Sequence, residues 1–145
     1  MEIDPRGPRF SALITTAVLV IVLITASVWL LAAQAVVFAI GAVLGLRYAP
    51  YGLVYRYLVR PRLGPPKELE AEAPPRFAQA VGLVFALVGV VGYASGLTGL
   101  GIAAVALALI AAFLNGAFGI CLGCEMYLLI RRIAAGRQVT GAGQS

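Results

Sequence analysis

Charged residues are missing from two long stretches of the chain, and this pattern predicts its helices. The first stretch runs from Phe10 to Leu46 and holds 37 residues, and the second runs from Phe77 to Cys124 and holds 48. One helical crossing of a bilayer needs about 20 apolar residues, whereas 37 residues in a single helix would span roughly 55 Å. Each stretch therefore predicts a hairpin of two membrane-spanning helices.

The predicted fold is an all-α, polytopic membrane protein in which residues 1–145 form a single membrane domain. Its four transmembrane helices form two hairpins and cover about residues 10–30, 33–47, 77–94 and 100–133. Residues 48–76 form a cytosolic loop that contains a short helix lying in the headgroup plane. The last predicted helix exceeds one crossing, so it tilts, projects into the cytosol or breaks at a cluster of glycines, Gly116, Gly119 and Gly123.

The composition is typical of a membrane protein, and the positions of the basic residues indicate its topology. The chain is 61% hydrophobic and 12% charged, with a mean hydropathy of +0.97, which lies outside the soluble globular range. Its net charge is +5, and its Lys and Arg residues lie in the two tails and the central segment, with none in either hairpin turn. Because such residues are retained on the cytoplasmic side, we expect an inner (cytoplasmic) membrane location with both termini in the cytosol. The excess charge then favours contact with anionic lipid, and without a reader motif we expect no nucleic-acid partner.

Several function classes are excluded by what the chain lacks. It contains no histidine, which rules out a Ser/His/Asp set and removes the commonest general base. It has neither a phosphate-binding loop nor a nucleotide fingerprint, so no cofactor is expected. The N-terminus mixes acids with bases ahead of an apolar stretch far too long for a signal peptide, so we expect it to be retained.

The segment Asn115–Tyr127 (NGAFGICLGCEMY) carries the candidate chemistry. It places a Cys-x-x-Cys pair, Cys121 and Cys124, and a carboxylate, Glu125, in an otherwise apolar helix. With Arg131 at the cytosolic headgroups, Cys124 lies about 10 Å and Cys121 about 15 Å inward, in the cytoplasmic leaflet. Residues three apart on a helix have Cβ atoms about 5–6 Å apart, whereas a disulfide needs about 3.8 Å. Closure therefore requires a local distortion, which the flanking glycines can supply.

The reactivity of the pair depends on whether this last helix breaks. In a continuous helix, desolvation and the helix dipole both oppose a thiolate. A break at Gly116–Gly119 places the cysteines at a new helix N-terminus, where free N–H groups favour a thiolate, and Asn115 is then expected to cap the restarted helix. We expect Glu125 to move the thiol proton. The basic residues beyond it are expected to favour an anionic substrate or the thiolate; they are Arg131 and Arg132.

Three functions remain open. In the first, Cys124 meets a partner and Cys121 resolves the mixed disulfide, in thiol–disulfide or sulfur-carrier exchange. In the second, the pair acts as a ligand relay in a transporter or channel for a soft metal ion or small sulfur species. Two thiolates and Glu125 fall short of the four ligands of a closed zinc site, although a homo-oligomer would supply four cysteines and Cu(I) needs fewer. In the third, the protein is a structural subunit with inert cysteines, packed along a small-residue seam formed by Gly116, Gly119 and Gly123.

Three motifs resemble a known family. They are Asp4-Pro5-Arg6-x-x-Arg9-Phe10, Pro75-Arg76-Phe77-Ala78-Gln79 and Phe118-Gly119-x-Cys121-x-Gly123-Cys124-x-x-Tyr127. Together they resemble a bacterial family of small integral membrane proteins, common in actinobacteria and catalogued as domain of unknown function 4395, over nearly the whole chain. Members are often encoded near thioredoxin-like proteins and sulfurtransferases. The resemblance therefore implies a partner of that kind and cytosolic thiol or sulfur chemistry at Cys121 and Cys124.

Overall fold

The chain is helical apart from one short pair of strands. The structure, a computed structural model, describes residues 2–65 and 69–143, except for the side chains of residue 2 and residues 136–143. The long helices are α1 (Arg6–Thr25), α2 (Val28–Ala39), α5 (Ala73–Ala94), α6 (Thr98–Phe118) and α7 (Leu122–Gly143). The central segment folds as a 3₁₀ turn (Leu46–Tyr48), α3 (Pro50–Val54), a π-helical turn (Tyr55–Val59) and α4 (Arg60–Leu63). Strands β1 (Glu2–Ile3) and β2 (Glu70–Ala71) pair antiparallel.

Three of the helices could cross a membrane by length and composition. These are α1, α5 and α6, with 20, 22 and 21 residues. α2 continues as a π-helix over Ile40–Leu44, and this combined apolar helix, Val28–Leu44, is shorter than the other three. The expected all-α class, with apolar helices long enough to cross a membrane, is thus confirmed, while the fourth crossing and the two-hairpin arrangement stay predictions. The single helix predicted over about residues 100–133 is instead two helices, because the chain leaves helical geometry between Phe118 and Leu122.

Four helices contribute to one apolar core. α6 packs against both α1 and α5, and α5 also packs against α2. Small residues allow this close packing: a Cβ on Gly92 of α5 would lie 2.5 Å from the backbone nitrogen of Gly101 on α6. The buried core side chains are Leu19, Val22, Leu31, Ala35, Phe38, Ala86, Val105 and Ala108.

Arg76, in the first turn of α5, bonds to the end of the π-helix that follows α2. Its Nε donates to the carbonyl oxygen of Ala42 at 2.8 Å, and its Nη2 donates to that of Val43 at 2.6 Å. Both carbonyls belong to the last turn of the π-helix, where backbone acceptors lack helical partners. Glu72 lies 3.6 Å from the same guanidinium and balances its charge. The Pro75–Gln79 motif therefore contains a residue that joins α5 to the end of the Val28–Leu44 helix.

A buried carboxylate fastens the N-terminus to the central segment. The side chain of Asp4 is only 7% exposed and accepts hydrogen bonds from Arg6 at 3.0 Å and from the Tyr55 hydroxyl at 2.8 Å. Arg60 lies 3.9 Å away. Burial alone would raise the pKa of Asp4, but the hydrogen bonds from Arg6 and Tyr55 outweigh it, so the pKa is lowered. Burial and the bond to Asp4 raise the pKa of Tyr55 to about 12.

Replacing Tyr55 with phenylalanine tests this connection. We expect the free energy of unfolding in detergent to fall by about 1–3 kcal/mol at neutral pH, because a buried carboxylate loses a donor. A lowered Asp4 pKa gives stability that is present above the unfolded value of about 3.9 and is lost as the pH falls through the folded value. The difference between variant and wild type should therefore shrink below about pH 4. Tyr57→Phe, at a side chain that is 70% exposed, is the control; equal losses in the two variants would contradict the prediction.

Candidate functional site

The break between α6 and α7 is built on Gly119. This residue has φ +73°, in the left-handed region that residues with a Cβ rarely adopt. The N–H groups of Gly119 and Ile120 donate to the carbonyl oxygens of Asn115 and Leu114, at 3.0 and 3.1 Å. The last turn of α6 is therefore closed by backbone hydrogen bonds, as in other helices that end on a left-handed glycine.

Cys121 caps the helix that follows. It directly precedes Leu122, and its Sγ accepts a hydrogen bond from the Cys124 N–H at 3.1 Å. Its carbonyl oxygen accepts from the Glu125 N–H at 3.0 Å. Cys121 and Cys124 form a disulfide with their Cα atoms 5.1 Å apart, inside the usual range of about 4.4–6.8 Å. The break therefore brings the two cysteines close enough for a disulfide, which a continuous helix would not do.

Two positive features lie at the break between α6 and α7. One is the N-terminus of α7, whose free N–H groups favour a negative charge on sulfur once the bond is reduced. The other is Arg9 of α1, whose Nη2 donates to the Gly116 carbonyl oxygen at 3.5 Å and whose Cζ lies 3.6 Å from where a Cβ on Gly119 would stand. Sequence reasoning missed Arg9 as a site residue, and the only signal was its place in the N-terminal motif.

The other predicted site residues lie in the last turn of α6 or on the exposed face of α7. Asn115 does not cap α7, because Cys121 holds that position; Asn115 sits in the last turn of α6. Glu125 is exposed in the first turn of α7, and in the described part of the chain no three His, Cys, Asp or Glu side chains group together. Arg131 and Arg132 are also exposed, and Arg131 lies over the Tyr127 ring at 5.9 Å.

The three glycines of the cluster have different surroundings. A Cβ on Gly116 would lie 2.7 Å from Leu13, so Gly116 marks the contact of α6 with α1. A Cβ on Gly123 would lie 2.6 Å from the Cβ of Ala78, so Gly123 marks the contact of α7 with α5. Gly119 turns the chain between them. The glycines therefore position the disulfide by two different helix contacts and one turn.

A cleft of about 370 Å³ lies beside the disulfide. It is formed by residues of α1, α2, α5, α6 and α7, and most of its lining side chains are apolar. Cys121 and Asn115 are among the described residues that line it, and Cys124 is not. The two sulfur-bearing residues therefore have different surroundings, although both are half-buried.

These features define a helical protein whose apolar helices suggest a membrane environment and which carries a disulfide at a helix N-terminus. The chain belongs to the family described as Domain of unknown function (DUF4395), whose family model matches residues 3–132. The match confirms the resemblance drawn from the three motifs and includes both cysteines and the whole break. No curated protein and no solved structure matches the chain.

Proposed function

We propose that the protein carries out thiol–disulfide exchange at the cytosolic face of the inner membrane. The observation that supports this most is the position of the Cys121–Cys124 disulfide at the start of α7, with Cys121 as the helix cap. The partner we propose is a cytosolic thioredoxin-like protein or sulfurtransferase. In this proposal the combined helix Val28–Leu44 makes the fourth crossing, and both termini lie in the cytosol with the basic residues.

The exchange step follows from the asymmetry of the pair. A partner thiolate attacks Sγ of Cys124, the Cys121–Cys124 bond breaks, and Cys121 leaves as a thiolate. A leaving group with a lower pKa leaves faster, and the Cys124 N–H, 3.1 Å from the Cys121 sulfur, stabilises that thiolate. A second partner thiolate then attacks the mixed disulfide, which releases the partner oxidised and Cys124 reduced. Two electrons have moved from the partner to this protein.

The exposed charged residues of α7 are proposed to act on the partner and on the proton that the exchange moves. Glu125 follows Cys124 in the sequence and is exposed. We propose that its carboxylate accepts the proton that the Cys124 thiol loses and returns it when the thiol forms again. Arg131 and Arg132 lie further along the helix, where they would attract an acidic partner surface and raise the rate of encounter. This contribution should weaken as the salt concentration rises.

Thiol alkylation against pH tests the proposed function. Cys124→Ser leaves Cys121 as the only thiol and keeps the backbone N–H that stabilises it, and Cys121→Ser is the matched control. We expect Cys121 to label with an apparent pKa below the free value of about 8.5, because only the thiolate reacts and the helix N-terminus favours it. In the wild-type protein, oxidation should block labelling and a dithiol should restore it.

Two results would contradict the proposal. One is a Cys121 thiol that labels only above about pH 8.5, as a thiol with no stabilised thiolate would. The other is a wild-type disulfide that a dithiol in excess does not reduce in the native protein. Either result would favour a structural role for the pair.

A further inference from the structure

The cleft beside the disulfide lets only one of the two cysteines meet a molecule bound there. Cys121 lines this cleft, together with the Asn115 amide and apolar side chains such as Ala112, Leu122 and Met126. Cys124, which the proposed exchange assigns to the protein partner, is not among the described lining residues. A reactant in the cleft would therefore approach the pair from the side of Cys121.

The size and lining of the cleft restrict what such a reactant can be. Its volume of about 370 Å³ falls within the range of small-molecule sites, about 300–1,000 Å³. Its walls come from the apolar helices α1, α5 and α6, which could cross a membrane. A molecule that enters from the bilayer and fills an apolar cleft must itself be lipophilic. Asn115 of α6, which lines the cleft as Thr15 and Gln79 also do, has an amide N–H that would donate to an oxygen of that molecule.

The chemistry of the pair restricts it further. After exchange with a reduced partner, the Cys121/Cys124 dithiol must lose two electrons and two protons before it can act again. Quinones are lipid-soluble molecules with a flat ring and carbonyl oxygens that accept two electrons and two protons. We infer that the cleft binds a membrane quinone, which reoxidises the dithiol through Cys121. This inference rests on the proposed function.

The reaction balances in two steps. The Cys121 thiolate adds to a ring carbon of the quinone and forms a carbon–sulfur bond, and the electron pair displaced from the ring goes to a carbonyl oxygen. The Cys124 thiolate then attacks Sγ of Cys121, so the sulfur–sulfur bond forms as the carbon–sulfur bond breaks. The released ring takes up the two protons lost by the thiols, giving one disulfide and one hydroquinone. In this inference the Asn115 amide, which lines the cleft, donates to the oxygen on which negative charge develops.

Filling the cleft tests the inference. Ala112 lines the cleft, whereas Ala117, on the same helix, is exposed and is not among the lining residues. The full-length protein, reduced in lipid nanodiscs without oxygen, is mixed with a short-chain benzoquinone, and hydroquinone and disulfide are measured together. We expect one hydroquinone per disulfide in the wild type and in Ala117→Phe, and a rate at least roughly tenfold lower in Ala112→Phe, whose ring takes the reactant's place. Asn115→Leu should also react more slowly at saturating quinone, because it removes only the donor.

A water-soluble disulfide oxidant, added to the same samples, separates the two proposals. It should oxidise all of the variants at similar rates and thereby show that each retains a working dithiol. If it does so while the quinone fails to oxidise the wild type, or oxidises Ala112→Phe as fast as Ala117→Phe, the quinone inference is wrong and the exchange proposal stands. If neither oxidant closes the disulfide in the wild type, the proposed function itself fails.

Discussion

Replacing Gly92 with alanine is expected to lower the free energy of unfolding by about 1–3 kcal/mol. The added Cβ would lie 2.5 Å from the backbone nitrogen of Gly101, 2.9 Å from its Cα and 3.1 Å from the carbonyl oxygen of Leu97. All three atoms belong to the backbone, so no side chain can rotate away, and α5 and α6 must separate where they are closest. This cost should exceed the gain of about 1 kcal/mol that alanine brings to a helix.

Gly99 provides the matched control, since it lies in the first turn of α6 and a Cβ there would meet nothing within 4 Å. Gly99→Ala should leave stability unchanged or raise it slightly. Denaturant unfolding of both variants in the same detergent, followed by circular dichroism, gives the comparison. Equal stability of the two variants would show that α5 and α6 do not approach as closely as the structure places them.

Replacing Gly119 with valine is expected to disable the dithiol site while sparing the core. A residue with a Cβ costs about 1–2 kcal/mol in the left-handed region, and the chain can relieve this strain by continuing α6 through the break. Cys121 would then lose its position as the cap of α7. The two Cβ atoms would move to about 5–6 Å apart, which is too far for a disulfide. We therefore expect slower reoxidation and a Cys121 thiol that no longer labels below about pH 8.5.

The control for this change is Ala117→Val. It adds the same side chain two residues earlier, at an exposed position in α6 where no left-handed geometry is needed. Gly119→Asn should be intermediate, because asparagine tolerates the left-handed region better than other residues do. Thiol labelling against pH and the fraction of disulfide at a fixed dithiol concentration are the measurements. A Gly119→Val protein that keeps the wild-type labelling profile would show that the break does not depend on this glycine.

The positions of several helices could be predicted from the distribution of charged residues along the chain, for a physical reason. The thickness of a bilayer determines how long an apolar helix must be, so the uncharged stretches predicted helices close to α1 and α5 and the place where α6 begins. The end of the first hairpin was harder to predict. Its π-helical turn ends on carbonyls of Ala42 and Val43 that are held by Arg76, more than 30 residues later in the chain. No local pattern reports such a contact.

At the site, too, the local sequence predicted some features, while others depend on contacts between residues far apart in the chain. The glycine cluster predicted that a break could occur near the cysteines, but the choice of Gly119 depends on what the other two glycines touch. Gly116 lies within α6 where α6 meets Leu13 of α1, and Gly123 lies within α7 where α7 meets Ala78 of α5. The role of Cys121 as cap, in place of Asn115, follows from where the break falls. Arg9 reaches Gly116 across 107 residues of sequence, and the cleft is assembled from five helices, so neither could be inferred from local spacing.

Because the chain is made from its N-terminus, the contacts of β1 and α1 can form only after much later residues have been synthesised. Strand β1 (Glu2–Ile3) lies far ahead of its partner in the chain, because β2 follows only at Glu70–Ala71. Helix α1 finds its most extensive packing partner in α6, which begins at Thr98. A chain that grows by about 5–20 residues per second therefore completes α1 several seconds before α6 can pack against it. Until α6 has been made, the face of α1 that packs against α6 in the finished protein has no such partner.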